Sequence, residues 1–307
     1  PGTRDLPDGQ QAHIDIKANY LGWRGHLAWN PSDFYDLFGP TKRSRKGSVF
    51  RLGYDHNLIW DEPRRLDLAL DLAHFGQIDT LPNAQNVSTP YSRLTSARAK
   101  LDYTDLRRSL GAVDDEKGVL ANAALVVNRA GDKPSALLRG GLDLGLSLPL
   151  AHSSLWSRSS AGVATGDDDD PVANFYFGGF GNNYVDNGNV KRYREAGSLP
   201  GFEIDEVSGQ RYFKQTLEWA LPPVIFESVG TPALHVTWAR PALFASALWA
   251  KPAVDTGTRK VGSVGGQVDL RISTLYWYEM MFSVGFAQGY EHSRRAGNEW
   301  MVSLKIL

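Results

Sequence analysis

Residues 175–222 read FYFGGFGNNYVDNGNVKRYREAGSLPGFEIDEVSGQRYFKQTLEWALP. The stretch reads as an aromatic, glycine-rich strand, a long polar loop, and a second strand that closes on a carboxylate, an aromatic and a proline. The loop tip, Leu199-Pro200-Gly201-Phe202, joins a glycine free to adopt positive φ to a large ring in an otherwise polar segment. Something must bury Phe202, and the loop is long enough to fold back on the strands that flank it. Four alternating segments follow this stretch and about eight precede it.

Working outward, alternation with a period of two recurs along the chain. Beyond the loop, Phe213, Leu217 and Trp219 face away from Lys214, Thr216 and Glu218. Thr231 to Trp249 is one long segment in which Pro241 demands a bulge or a break. Val268, Leu270 and Ile272 oppose Asp269 and Arg271, and Tyr278, Met280, Phe282, Val284 and Phe286 oppose Glu279 and Ser283. The chain closes on Trp300, Val302, Leu304 and Ile306. Upstream, Leu142 to Leu150 alternates with Asp143 and small residues, and Ser153 to Val163 is a serine-rich strand. Val119 to Arg129 is apolar on both faces and fits helix or strand; its context assigns a strand. Gly131-Asp132-Lys133-Pro134 is a tight turn. The clearest segment sets Leu66, Leu68, Leu70 and Leu72 against Asp67, Ala69, Asp71 and Ala73, a pattern that a helix would scatter around its circumference. Ala97, Ala99, Leu101 and Tyr103 likewise oppose Arg98, Lys100 and Asp102. In the first segment, His13 to Trp29, the apolar phase slips after Tyr20, which predicts a bulge near Gly22. Pro31 to Lys46 is a connection whose Phe34, Tyr35 and Phe38 form an interfacial belt or a local cluster.

One face of these segments is almost purely aliphatic and aromatic, and the other carries charges of both signs at mid-strand. Such charges are costly in a sandwich core and suit a wet lumen. The expected fold is therefore all-β: an antiparallel transmembrane β-barrel of about 12–16 strands over residues 1–307, its long loop folded into the lumen before the last five strands. The 307 residues carry a net charge of −1, which argues against a nucleic-acid partner, and no cysteine. The apolar runs are too short for a membrane-spanning helix. No hydrolase, metalloprotease or nucleotide-binding motif is present, so no catalytic residue, metal or cofactor is expected. Asp167-Asp168-Asp169-Asp170, and Glu203, Asp205 and Glu206, are acidic enough for a hard cation but read better as solvated turns. Asn86-Val87-Ser88 matches a glycosylation acceptor by chance.

The layout resembles the C-terminal barrel of the Omp85 superfamily of bacterial surface antigens. The resemblance rests on Gly178-Gly179, the tip Pro200-Gly201-Phe202, the pair Glu218-Trp219 and Pro222. It implies a lumen-folded loop, residence in the bacterial outer membrane in contact with its lipid, and insertion or translocation of substrate polypeptides. The family's tip arginine is Pro200 here. Arg192 or Arg194 are the candidate replacements, and Glu218, Asp269 and Arg271 the charges on the inner wall. The alternatives are a non-translocating barrel that anchors an upstream domain and a plugged small-solute pore. A count of 13 strands, against the even number usual in such barrels, leaves either a miscounted strand or strands upstream of Pro1.

The two-faced pattern predicts that the purified chain requires detergent and migrates faster on a gel before boiling in SDS than after. Monodisperse behaviour in plain buffer would exclude the membrane reading.

Overall fold

A computed structural model of the chain describes residues 14–29, 47–78, 80–82, 84–167, 169–180, 190–231, 233–252, 257–275 and 278–306. The alternating segments form β1 (Ile14–Tyr20), β2 (Trp23–Trp29), β3 (Ser48–Asp61), β4 (Arg64–Gly76), β7 (Arg93–Arg107), β8 (Lys117–Ala130), β9 (Lys133–Ser147), β10 (Ser154–Thr165), β13 (Arg211–Ala220), β14 (Val224–Thr231), β15 (Leu234–Lys251), β16 (Arg259–Thr274), β17 (Tyr278–Glu291) and β18 (Arg294–Ile306). Two short ribbons, β5 (Thr80–Leu81) with β6 (Ala84–Ser88) and β11 (Phe175–Phe177) with β12 (Val207–Gly209), stand apart from the main sheet. That sheet has 14 strands in the order β1-β2-β3-β4-β7-β8-β9-β10-β13-β15-β16-β17-β18, with β14 pairing β15. Neighbours pair antiparallel throughout, so the fold is an antiparallel transmembrane β-barrel.

The period of two decides which face each residue takes. Leu70, Leu72, Leu142, Leu144, Leu217, Leu243, Val302 and Leu304 are exposed on the outer face, and Leu146 is 67% accessible. An apolar band of this extent suits hydrocarbon and is unlike the surface of a water-soluble protein. Lys214, Glu218, Gln267, Asp269 and Ser283 are buried on the inner face of the same strands. Polar groups pair there along and across strands: Lys100 with Asp102 at 2.7 Å, Arg24 with Asp55 at 2.5 Å and Asp71 at 3.0 Å, and Asn57 Nδ2 donates to Asp67 at 2.5 Å.

Several sequence expectations need correction. The phase slip after Tyr20 is a two-residue hairpin, not a bulge. Leu21 and Gly22 both take positive φ, 44° and 83°, the geometry that matches strand twist in a tight turn. The aromatic run Phe175–Phe177 is not a barrel strand; it turns inward, where Phe175 and Phe177 pack their rings on Tyr212 at 4.8 and 4.7 Å. These two errors cancel, and the sequence count of 13 falls one short of the 14 strands in the sheet because the sequence reading does not separate β14 from its neighbours. Pro241 causes neither bulge nor break, and the register of β15 on β16 shifts instead between Val236 and Trp238. The Pro241 carbonyl accepts from Leu221 N at 3.0 Å, so the missing N–H faces the same side. There β13 ends at Ala220 opposite Ala242 and β14 begins at Val224 opposite Ala239, so no ladder bond is lost. Val119 to Arg129 lies in a strand, and Pro134 falls inside β9, leaving Gly131-Asp132 as the turn. Phe34, Tyr35, Phe38 and Asp168 lie outside the described residues.

Small residues inside the barrel make room for large ones. A Cβ on Gly145 (β9) would come within 2.5 Å of the Trp156 indole, whereas one on Gly140 would meet nothing nearer than 3.6 Å. Gly145→Val should therefore lower the urea-unfolding free energy in micelles by about 1–3 kcal/mol through overpacking. Gly140→Ala should stay within about 0.5 kcal/mol of the parent, and tryptophan fluorescence reads both.

Candidate functional site

The connection between β10 and β13 enters the barrel and fills the side lined by β13 to β18. Its descending limb begins with Gly178-Gly179, where Gly178 N donates to Gly197 O at 3.1 Å and Gly179 N to Phe202 O at 3.0 Å. A short 3₁₀ turn, Arg192–Arg194, follows. The chain then returns through Leu199-Pro200-Gly201-Phe202, with Leu199 N donating to Gly179 O at 2.9 Å.

The tip is seated on glycine and small side chains of β17 and β18. Gly201, at φ 93°, lies so close to Gly289 that a Cβ would approach the Gly289 nitrogen at 2.4 Å. Phe202, 4% exposed, packs with Leu199, Tyr212, Leu248, Ala250 and Val261. Burying it contributes about 1.5–3 kcal/mol. From the sequence, the tip is expected against the wall built by the strands containing Glu218, Val268 to Ile272 and Tyr278 to Phe286; it meets β13, β16 and β17, at Tyr212, Val261 and Gly289, and β15 and β18 as well. Phe180 and Tyr193, both at zero exposure, pack against Phe244. The Glu299 carboxylate accepts from Phe180 N at 3.1 Å and Gly201 N at 3.0 Å, joining both limbs of the loop to β18. On the other flank the Lys214 ammonium donates to the Glu195 carbonyl at 2.8 Å, to the Ala196 carbonyl at 3.2 Å and to the Ser198 carbonyl.

Below the tip lies an ionic cluster around Glu218, which has no exposed surface. Arg194 grips it with two bonds, Nε to Oε2 at 2.9 Å and Nη2 to Oε1 at 2.5 Å, the planar fork that only arginine offers. Arg158 of β10 donates from Nε to Glu218 at 3.0 Å and from Nη1 to Asp143 of β9 at 2.5 Å. A second centre is Asp114, from the β7–β8 loop at the opposite end of the barrel. Its Oδ2 lies 3.2 Å from Lys191 Nζ, 3.2 Å from Arg194 Nη2 and 3.0 Å from Arg240 Nη1. Burial and the neighbouring Arg194 push the Lys191 ammonium down to about 8, against the pull of Glu218 and Asp269. The loop that presents Asp114 is clamped by Glu116, whose carboxylate accepts from Ser109 N at 2.9 Å and lies 3.1 Å from His152 Nδ1. Burial raises the Glu116 pKa, but the bonds from Ser109 and His152 outweigh it and hold the group below its usual value.

Of the residues singled out from sequence, Arg194 and Glu218 are brought together, and Pro200, Gly201 and Phe202 are buried in the lumen. Asp269 is buried behind them, held by Gln267 and Ser283 at 2.6 Å each and 4.0 Å from Lys191. Arg192 is buried but lines the opposite side of the loop. Arg271 is not a partner of the loop; it pairs with Glu279 toward the far ends of β16 and β17. Asp170 is not solvated: it is buried and caps a 3₁₀ turn by accepting from Val172 N at 3.1 Å. No group of three or more metal-ligating side chains occurs among the described residues. Sequence reasoning missed Glu299, Asp114 and the role of Lys214. The nearest signal was the alternation that turns Glu299 and Lys214 inward.

Glu218→Gln removes the buried anion and leaves Arg158, Arg194 and Lys191 short of a counter-charge, a change worth about 3–5 kcal/mol. Trypsin should then cut after Lys191, Arg192 or Arg194 in the variant within a time that leaves the parent uncut. Equal protection of both would show that the cluster does not hold the loop.

No protein-family model matches the chain, and no curated protein matches it. Among solved structures it is similar to the crystal structure of BamA from Haemophilus ducreyi lacking POTRA domains 1-3, with a TM-score of 0.52 and 13% sequence identity. The match covers 95% of this chain and 61% of that one, so the chain spans less than two thirds of its length. At this identity the likeness is one of fold.

Proposed function

We propose that the chain is an outer-membrane barrel of the Omp85 type, resident in the bacterial outer membrane, that inserts or translocates polypeptides there. The observation that carries the reading is the Arg194–Glu218 fork inside the lumen. It supplies an arginine to the inner wall even though the tip position that the resemblance assigns to one is Pro200. The fold likeness to the BamA barrel and the apolar outer band support the membrane placement. In this reading the loop is a fixed strut. Its ionic cluster specifies where the loop sits more than it adds net stability, because desolvating the charges costs about as much as their attraction returns.

The test is reconstitution of the chain into vesicles of outer-membrane lipids, followed by addition of a urea-unfolded small outer-membrane barrel. Heat-modifiable mobility then reports how fast that probe folds. The reading expects folding at least ~10-fold faster than in empty vesicles, a difference of about 1.4 kcal/mol in barrier, and loss of the acceleration in Arg194→Gln. Parent vesicles no faster than empty ones would overturn insertion and favour a barrel that only anchors a further domain.

A further inference from the structure

Opposite the loop's docking wall, the lumen retains a cavity of about 660 Å³ between the loop and the inner faces of β2 to β9. Its lining is rich in arginine. The ladders place Arg98 of β7 and Arg139 of β9 on adjacent rows of the inner face, separated on β8 by Val126 and Ala124. Asn128 of β8 and Ser96 of β7 lie one row above Arg98, and Arg51 of β3 projects from that same row. Asp71, directly across from Arg98, is already held by Arg24 at 3.0 Å. Among the described residues, Arg51, Arg98 and Arg139 have no carboxylate within ion-pair distance, and the buried Arg98 Nε has no hydrogen-bond partner. Arg139 is repelled by Arg98 and attracted by Asp102 of β7. Arg51 is positioned over the Phe75 ring, 5.3 Å from its centre.

Asp71, Glu195 and Asp205 share the lining with Arg24, Arg51, Arg98, Arg139 and Arg192, so guanidinium groups outnumber carboxylates there, and an entering anion adds counter-charge. Their planar forks match phosphate and carboxylate oxygens, and Asn128 and Ser96 add neutral donors beside them. The volume falls in the range of small-molecule sites, about 300–1,000 Å³, and exceeds what a bare inorganic anion fills. Phe75, Leu94 and Phe175 line the remainder and offer an apolar seat for an organic body. We propose that this cavity is a binding site for a small organic phosphate whose phosphoryl group sits between Arg98 and Arg139 and whose apolar or aromatic body lies toward Phe75 and Phe175.

The test is isothermal titration of the detergent-solubilised chain with phenyl phosphate, inorganic phosphate and phenol, at matched ionic strength in chloride. Phenyl phosphate should bind in a saturable way, inorganic phosphate at least ~10-fold more weakly, and phenol not at all. The double variant R98Q/R139Q should lower phenyl phosphate affinity at least ~10-fold while keeping heat-modifiable mobility. If that variant fails to fold, the single variant R51Q carries the test, with a measurable fall in affinity expected. Absence of saturable phenyl phosphate binding, equal affinity for inorganic phosphate, or an affinity unchanged in the folded variant would each overturn the site.

Discussion

A carboxylate with no exposed surface, mounted on a strand whose other face is leucine and tryptophan, is stable only if cations are brought to it. Glu218 is that group, and neither of its strand's neighbours in the ladder can serve it alone. Arg158 reaches it from β10 but is shared with Asp143, so the count of charge closes only when Arg194 arrives from the loop. The path of the loop follows from this. Two backbone donors on Glu299 and three carbonyls on Lys214 then fix its orientation. The same demand reaches the opposite end of the barrel, because Lys191, Arg194 and Arg240 together exceed what Glu218 and Asp269 neutralise and draw Asp114 inward.

Much of the fold was legible because a period of two is a local property: Leu66 to Ala73 declares its two faces within eight residues. Burial of a charge behind the leucines then argued for a wet interior. Connections were less legible. Leu21-Gly22 is an unusual hairpin turn, since leucine at positive φ is disfavoured, and only the paired strands on either side hold it there. Phe175–Phe177 alternates like its neighbours yet lies inside, since Phe175 and Phe177 pack on Tyr212 and nothing in the local pattern separates lipid from lumen. The Arg194–Glu218 contact could be anticipated from the one carboxylate of β13 and a basic loop. Asp114 and Glu299 could not: they lie 80 and about 100 residues from the loop positions they meet, and only the tertiary path of the loop through the lumen brings them close.

The inner face is built from two contrasting materials. On β17 and β18 the loop lies on Gly285, Ala287, Gly289 and Gly297, where the absence of bulk allows close approach. On β3, β7 and β9 the face is arginine, and the loop stands off from it. This asymmetry divides the lumen into a dry, packed half and a cationic, open half, so the loop occludes without filling.

The sheet order has a further consequence that concerns strand direction. Positions alternate up and down across it, and β1 and β18 stand first and thirteenth, so the two edges run the same way. Brought together they would form a parallel pair, with slanted and slightly weaker hydrogen bonds, in a sheet whose every ladder is antiparallel. A strand that pairs antiparallel with one edge is antiparallel to the other as well. Among the described residues, the two edges are therefore complementary, in antiparallel pairing, to one additional strand or to any odd number of them.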